Sequence, residues 1–275
     1  MHDWLAARRA EIDRVFETRL APPANGDPGR LIESMRYSLL APGKRIRPLL
    51  ALAAAEAIAP IDAPIDDNIL LACCAVELVH CYSLIHDDLP AMDDDDFRRG
   101  RPSNHKAFGE ATAILAGDAL LTLAFEWIAE AGERADRPQH FLAASRALAH
   151  AAGPSGMVRG QARDLGEPPP ATLAALETLH GEKTAALFRA AVQLGGCVAG
   201  GTPDVLATLA RFGTAYGVAF QHADDIADAE HGEHAGAARG RLESLIADAS
   251  AAVAPLGPRA ARLTELARAL AGRPA

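Results

Sequence analysis

Two stretches of the chain place aspartates at helical spacing. The first is "LIHDDLPAMDDDDFRRG" (84–100), just behind the apolar run "ILLACCAVELV", and the second is "FQHADDIAD" (220–228). Residues three, four or seven apart share one face of a helix. Asp87 and Asp88 therefore share a helix face with His80, which lies four residues before the first stretch. In the second stretch, Asp224, Asp225 and Asp228 share a face with Gln221.

Carboxylates gathered in this way repel one another. Two unit charges 4 Å apart cost about 1 kcal/mol in water and roughly 4 kcal/mol at the effective dielectric of a protein. A hard divalent cation relieves that repulsion, and ligation by oxygen alone suits Mg²⁺ or Mn²⁺. The ligand spacing of an EF-hand does not occur in the sequence. A solvated acidic loop is the alternative, but two stretches with the same helical phase favour a metal site.

Basic residues stand close to the aspartates. "GKRIRP" (43–48) puts Lys44, Arg45 and Arg47 at the start of a predicted helix, after a Pro-Gly turn, and "RRGR" (98–101) follows the first aspartates. Arginine binds phosphate through two parallel hydrogen bonds, and a helix N-terminus adds partial positive charge. The pattern predicts a diphosphate site. For any single arginine, a surface salt bridge to an aspartate is the commoner outcome.

The elements that must position these side chains are helices. Alanine and leucine dominate, and β-branched runs are rare. Clusters of Gly and Pro, among them the predicted turn "RRGRPSN" (98–104), separate the helices. Of the 275 residues, 49% are hydrophobic, which is enough for a large core. We predict one all-α domain over residues 1–275, a bundle of about ten helices. Their predicted ranges are 3–20, 29–40, 44–58, 66–91, 108–131, 138–165, 171–199, 203–230, 240–254 and 258–271.

Composition limits the classes of function. The net charge of −9 argues against general nucleic-acid binding. The four cysteines have neither C-x-x-C nor zinc spacing, which indicates buried apolar side chains in a reducing compartment. Residues 1–20 form a predicted amphipathic helix with charges throughout rather than a signal peptide, and no uninterrupted apolar stretch is long enough for a membrane span. We expect a cytoplasmic protein with no stable membrane insertion.

The order of the motifs resembles a known family. "GKRIRP", "DDLPAMDDDDFRRGRPSNH", "GQARDL", "GEKTAALF" and "FQHADDIAD" follow one another over residues 30–230 as in the trans-isoprenyl diphosphate synthases, or polyprenyl synthetases, and most closely as in bacterial farnesyl diphosphate synthase. The resemblance implies the isoprenoid synthase fold, an all-α bundle around a deep central cavity, and a homodimer. It also implies that Mg²⁺ helps to ionise an allylic diphosphate, whose cation is then attacked by isopentenyl diphosphate.

The resemblance also implies roles for residues at matching positions. Implied metal ligands are Asp87 and Asp93 with Asp88 beside them, and Asp224 supported by Asp225 and Asp228. Positions implied to bind isopentenyl diphosphate are Lys44, Arg47, His80 and Arg99, and those implied to surround the allylic diphosphate are Arg98, Lys183 and Gln221. Lys183 and Thr184 occupy the place where the family breaks a helix beside the reacting carbons, so Lys183, Thr184 and Gln221 are the candidate catalytic groups. Gln161 and Asp164 match a pair that lines the cavity.

The length of the product depends on what closes the cavity below the metal ions. Tyr82 and Ser83 precede Asp87 by five and four residues, which places Tyr82 about 7.5 Å further down the helix. An aromatic residue here, together with the spacing of "DDLPAMD", resembles bacterial farnesyl synthases and predicts a C15 product. The alternative is that Tyr82 packs against another helix as an ordinary core residue.

The sequence departs from the family after Asp228. The family continues with a lysine-bearing loop and a later "GK-T-x-P" stretch, whereas this chain reads "AEHGEHAGAARGRLESL" and has no lysine after Lys183. One diphosphate-binding lysine is therefore missing, and Arg239 or Arg241 is a candidate substitute. The alternatives that stay open are a geranyl or geranylgeranyl diphosphate synthase, a class I terpene cyclase, and a non-catalytic partner subunit.

Overall fold

Helices make up nearly all regular structure in the computed structural model, which describes residues 1–59, 64–168, 170–227 and 235–272. The α-helices are α1 (His2–Arg19), α2 (Leu31–Leu39), α3 (Ile46–Ile58), α4 (Asp67–Asp87), α5 (Asn104–Phe108), α6 (Glu110–Glu133), α7 (Pro138–Ala152), α8 (Met157–Gly166), α9 (Leu173–His180), α10 (Ala186–Val198), α11 (Pro203–Ala227), α12 (Ala235–Val253) and α13 (Ala261–Arg268). Short 3-10 segments cover Pro28–Arg30 and Ala254–Ala260, and a π-helical turn, Gly181–Ala185, joins α9 to α10. The predicted all-α fold is confirmed.

The helix that carries the first aspartates begins and ends at identifiable signals. Asp66 caps α4, because its carboxylate accepts a hydrogen bond from the backbone N–H of Ile69 at 2.7 Å. The helix ends at Asp87, four residues earlier than predicted. Pro90 has no N–H to donate, and the chain turns so that the N–H of Asp93 meets the carbonyl of Asp87 at 2.8 Å. Asp88 and Asp93 therefore lie on a turn rather than on the helix.

Other helix boundaries in the structure differ from the predicted ones for local reasons. The predicted helix 138–165 is two helices, α7 and α8, because "GPSG" (153–156) interrupts it. The predicted turn at 98–104 contains a small antiparallel hairpin, β1 (Phe97–Arg98) and β2 (Arg101–Pro102). Its two corner residues, Arg99 and Gly100, both have positive φ angles, 55° and 77°, as a type I′ turn requires.

The hydrophobic core surrounds α4 and α10. Most residues of α10 are buried, and it packs against α3, α7 and α11. The four cysteines are buried and unbridged, as predicted. Burial raises the pKa of the Cys81 thiol to about 12 and that of Cys197 to about 11. Since the thiolate is the reactive form, these side chains act as small apolar groups.

Two helices are long and apolar enough to cross a membrane by length and composition alone, α4 and α6. Neither helix is an uninterrupted apolar stretch, because Glu77 interrupts α4 and Asp118 and Glu126 interrupt α6. In the most apolar part of α4, 72% of the residues are buried inside the protein, against 39% for α6. The apolar length of α4 follows from its place in the core.

Candidate active site

A cavity of about 760 Å³ lies between the C-terminal ends of α4 and α11, with α8 and the π-helical turn on its other sides. Both aspartate stretches reach it, since Asp87 and Asp224 line the same space. The other predicted residues in its lining are Arg47, His80, Tyr82, Ser83, Arg98, Arg99, Gln161, Lys183, Thr184 and Gln221. The folded chain thus brings together residues that are up to 177 positions apart in sequence, from Arg47 to Asp224.

Asp87 is the carboxylate of the first stretch that faces the cavity. Its pKa is raised to about 6, chiefly by burial and in smaller part by the nearby Asp93, while Lys183 and Arg98 act in the opposite direction. The positive charges of the protein do not fully offset the effect of burial on this carboxylate, so a bound cation would stabilise its charged form. The donor set that Asp87 and Asp224 offer consists of oxygen atoms, which suits Mg²⁺ or Mn²⁺.

Asp88, the next residue, is turned away from Asp87. It is buried, and its carboxylate forms an ion pair with the Arg98 guanidinium, whose Nε donates to Oδ1 at 2.8 Å. Asp88 lines a smaller, adjoining cavity with Arg45 and Glu77. Burial raises the pKa of Asp88, and Arg98 partly offsets that effect. Asp93, a predicted ligand, is exposed and is not among the lining residues, but it is near enough to Asp87 to raise the pKa of that carboxyl group.

The two neighbouring aspartates of the second stretch also have different surroundings. Asp224 lines the cavity, whereas Asp225 is buried behind it. One carboxylate oxygen of Asp225 accepts from the Gln221 amide at 2.7 Å, and the other lies 3.6 Å from Nε2 of His180. The predicted ligand Asp228 lies outside the described residues.

Basic side chains form part of the cavity lining. The Arg47 guanidinium lies 4.4 Å from the centre of the Phe188 ring, and burial lowers its pKa to about 10. Burial, and then the positive charges of Arg47 and Arg99, hold the pKa of His80 well below its usual range. This imidazole is therefore neutral at pH 7.

Lys44 is exposed, and the cavity lining described above does not include it. Its neighbour Gly43 lies against the Arg99 guanidinium, which would be 2.8 Å from a Cβ at that position. The backbone of the "GKRIRP" segment therefore reaches Arg99 even though the Lys44 side chain does not line the cavity.

The π-helical turn presents Lys183 and Thr184 to the cavity. Thr184 donates its hydroxyl to Oε1 of Gln221 at 3.1 Å, and Lys183 pairs with Asp164. Two glycines allow this turn to be packed closely. A Cβ on Gly160 would lie 2.3 Å from the backbone nitrogen of Lys183, and one on Gly217 would lie 2.4 Å from Cα of Ala185. The break in the helix that the resemblance implied is present.

The apolar wall of the cavity includes residues that sequence reasoning missed. They are Leu84, Met92, Met157, Val158, Ala162, Leu165 and Phe220, and the polar side chain of His86 also lines the cavity. The signal on α8 was available, because Met157, Gln161 and Leu165 recur every four residues. Tyr82 lines the cavity with its ring edge-on to His86, 5.7 Å between ring centres, so it is in contact with the space that the product would fill.

Residues after the second stretch lie elsewhere. Arg241 donates to Glu177 from Nε at 2.6 Å and from a terminal nitrogen at 3.1 Å. Arg239 lines a different hollow, with Ala223 and Ala227. Among the residues described here, neither arginine is part of the cavity lining.

Comparison with known proteins decides the family. The model of the polyprenyl synthetase family matches residues 28–237. The chain belongs to the polyprenyl synthetase family. This confirms the resemblance read from the ordered motifs, and the match includes both aspartate stretches.

Individual relatives differ in their named products. Geranylgeranyl pyrophosphate synthase 12 of Arabidopsis thaliana is 45% identical over 225 residues, which are 80% of this chain and 61% of the relative. Farnesyl diphosphate synthase of Geobacillus stearothermophilus is 48% identical over 207 residues, 75% of this chain and 68% of the relative. The aligned part of the chain thus spans about three-fifths to two-thirds of these relatives. The crystal structure of an FPP/GFPP synthase from Zymomonas mobilis superposes with a TM-score of 0.88 at 37% identity, covering 97% of each chain.

Proposed function

We propose that this polyprenyl synthetase condenses isopentenyl diphosphate head to tail with an allylic diphosphate and releases a short-chain prenyl diphosphate, farnesyl diphosphate. The observation that carries the proposal is the shared cavity of Asp87 and Asp224. Its lining combines basic residues with apolar ones, as a substrate with a diphosphate head and a hydrocarbon tail requires. The relatives named above support prenyl transfer but differ in product.

Mg²⁺, with Mn²⁺ as the alternative, would be held chiefly by Asp87 and Asp224, with Asp93, near Asp87, and Asp228 as further proposed ligands. When bound, such ions act as Lewis acids that make diphosphate a better leaving group. Asp88 and Asp225 are also candidate ligands by their motifs, but Asp88 pairs with Arg98, and Asp225 accepts from Gln221. The proposal does not depend on either of them.

The protein's own side chains would bind and orient both substrates. Arg98 and Lys183 would bind the allylic diphosphate. Arg47, Arg99, neutral His80 and the exposed Lys44 would bind the diphosphate of isopentenyl diphosphate. The hydroxyl of Thr184 and the amide of Gln221, held by their mutual hydrogen bond, would place oxygen dipoles near the allylic cation.

The reaction breaks the allylic C–O bond and forms a C–C bond. The bonding pair of the C–O bond leaves with the diphosphate, the double bond of isopentenyl diphosphate attacks the cation, and loss of a proton restores a double bond. Water would capture the cation, so the site must be dry. The apolar wall formed by Met157, Leu165 and Phe220 serves that purpose.

Tyr82 and Ser83 would limit the length of the product, since both line the cavity on the helix below Asp87. We also propose a homodimer, as the family resemblance implies. Support comes from α6, where Ile114 and Leu115 are 43% and 58% exposed. Light scattering at micromolar concentration tests it, and a monomeric mass would contradict it. The cytoplasmic location and the single-domain organisation stay predictions.

The test of function is a set of incubations with purified protein. Protein, Mg²⁺ and isopentenyl diphosphate are combined with dimethylallyl, geranyl or farnesyl diphosphate in turn, and products are separated by chain length. We expect dimethylallyl and geranyl diphosphate to be converted to a C15 product. Conversion to C20 would indicate a geranylgeranyl synthase. Cyclic hydrocarbon without elongation would indicate a terpene cyclase, and no turnover would indicate a partner subunit.

A further inference from the structure

A buried cluster of nitrogen and oxygen donors lies behind the second aspartate stretch. His180 is the last residue of α9, and His222 and Asp225 lie on α11. Their exposed fractions are 7%, 0% and 6%. One ring nitrogen of each histidine and one carboxylate oxygen of Asp225 all lie within 4.8 Å of one another. The lining of the substrate cavity contains Asp224 but none of these three residues.

The distance between the His180 and Asp225 donor atoms is close to that found between ligands of a transition-metal ion. Ligands bound at about 2.0–2.1 Å in a tetrahedron are roughly 3.3 Å apart. Nε2 of His180 and Oδ2 of Asp225 are 3.6 Å apart, so a shift of a few tenths of an ångström would bring this pair to that separation. Two imidazoles and one carboxylate suit Zn²⁺ and similar borderline ions, whereas Mg²⁺ prefers oxygen alone.

The surrounding residues provide the outer contacts that metal-binding histidines usually have. Nε2 of His222 lies 3.2 Å from Oε1 of Glu177, and Arg241 holds the same carboxylate. The Arg241 hydrogen bond, followed by that of His222, lowers the pKa of Glu177, so it is a carboxylate at pH 7. A histidine that donates one ring N–H to a carboxylate keeps its lone pair on the other nitrogen. We therefore expect His222 to bind a metal through Nδ1.

We propose that His180, His222 and Asp225 form a binding site for Zn²⁺ or a similar transition-metal ion, separate from the Mg²⁺ site at Asp87 and Asp224. Glu177 and Gln221 orient two of the ligands from outside the site. This site does not depend on the proposed synthase activity. It is linked to the substrate cavity through hydrogen bonds from Gln221 to Asp225 and from Thr184 to Gln221.

The site is tested by titrating the metal-stripped full-length protein with Co²⁺, a spectroscopic substitute for Zn²⁺. We expect one equivalent to bind with visible ligand-field absorption, Zn²⁺ to displace it, and excess Mg²⁺ to leave it in place. His222→Asn should weaken binding at least about tenfold, and so should His180→Gln. Asp224→Asn and the exposed control His150→Asn should bind Co²⁺ as the unmodified protein does.

The opposite pattern overturns the proposal. Loss of the Co²⁺ absorption in Asp224→Asn but not in His222→Asn would place the ion in the substrate cavity. If the histidine variants do not fold, X-ray absorption of the zinc-loaded unmodified protein decides instead. Scattering from two imidazoles supports the site, and its absence refutes it. Neither result depends on prenyl transfer, so failure here and failure of the proposed function are distinguished.

Discussion

The two aspartate pairs, Asp87–Asp88 and Asp224–Asp225, share a design and differ in one partner. In each pair the first carboxylate lines the substrate cavity. The second is buried and turned to a basic side chain, Arg98 for Asp88 and His180 for Asp225. Neighbouring residues near a helix end point about 100° apart, and in these two pairs only the first member lines the cavity. A doubled aspartate thus supplies one candidate metal ligand and one buried counter-charge.

The partners give the two pairs different chemistry. Arginine is permanently charged and does not bind metal ions. Histidine is neutral over much of the physiological range and is a common metal ligand. Asp88 is therefore held in an ion pair with Arg98. Asp225, in contrast, lies with two histidines that can bind a second metal ion.

The largest expected effect comes from substituting the two aspartates of the second pair one at a time. Asp224→Asn removes a proposed Mg²⁺ ligand and should lower kcat about 10²–10³-fold. Asp225→Asn should lower kcat much less, because Asp225 acts through Gln221. Steady-state rates at saturating Mg²⁺ measure both, with circular dichroism to confirm folding. Equal losses in the two variants would break the distinction between front and rear carboxylates.

Acid should weaken metal binding at Asp87. Its pKa of about 6 is raised above the ordinary value, so protons compete with Mg²⁺ below that pH, and affinity should fall up to tenfold per pH unit. The sign for stability is opposite: in metal-free protein the raised pKa favours folding at low pH, and that contribution is lost as pH rises through about 6. Calorimetric Mg²⁺ titrations at pH 5, 6 and 7 test the affinity. A flat profile would show that Asp87 is not a ligand.

The cavity below the first pair should set product length. Tyr82→Ala removes a ring from the wall and should shift the main product from C15 to C20 or longer. Cys81→Ala is the matched control, since Cys81 is its neighbour on α4 but lines the smaller cavity. Chain-length analysis of the products gives the answer. An unchanged spectrum in Tyr82→Ala would mean that Tyr82 does not close the cavity.

The smallest effect on substrate binding is expected behind the second pair. Arg241→Glu breaks the ion pair with Glu177 and should lower the free energy of unfolding by about 1 kcal/mol, while KM for both diphosphates changes less than twofold. Arg47→Ala, within the cavity, should raise KM for isopentenyl diphosphate strongly. A tenfold rise in KM for Arg241→Glu would instead support Arg241 as the substitute for the missing lysine.

Local sequence signals predicted many of the helices correctly. They failed where the end of a helix, or a break within it, could be interpreted in more than one way. Asp66 and Pro90 mark the two ends of α4, yet the predicted helix 66–91 ran past Asp87. The predicted helix 138–165 did not take account of "GPSG", although glycine and proline are the strongest local signals for the end of a helix. The hairpin at Arg99 and Gly100 was foreseen only as a turn, because strands of two residues carry no periodic signal.

By itself the sequence determined an all-α chain, the order of its motifs and most of the side chains that line the cavity. Helical periodicity and the spacing of Asp, Arg and Lys are properties of the chain alone, so they can be read without a structure. Only the tertiary structure decided which aspartate of each pair faces the cavity, and that His180 meets His222 and Asp225. Those contacts depend on how α9 and α11 are rotated against each other, and packing of distant residues sets that rotation.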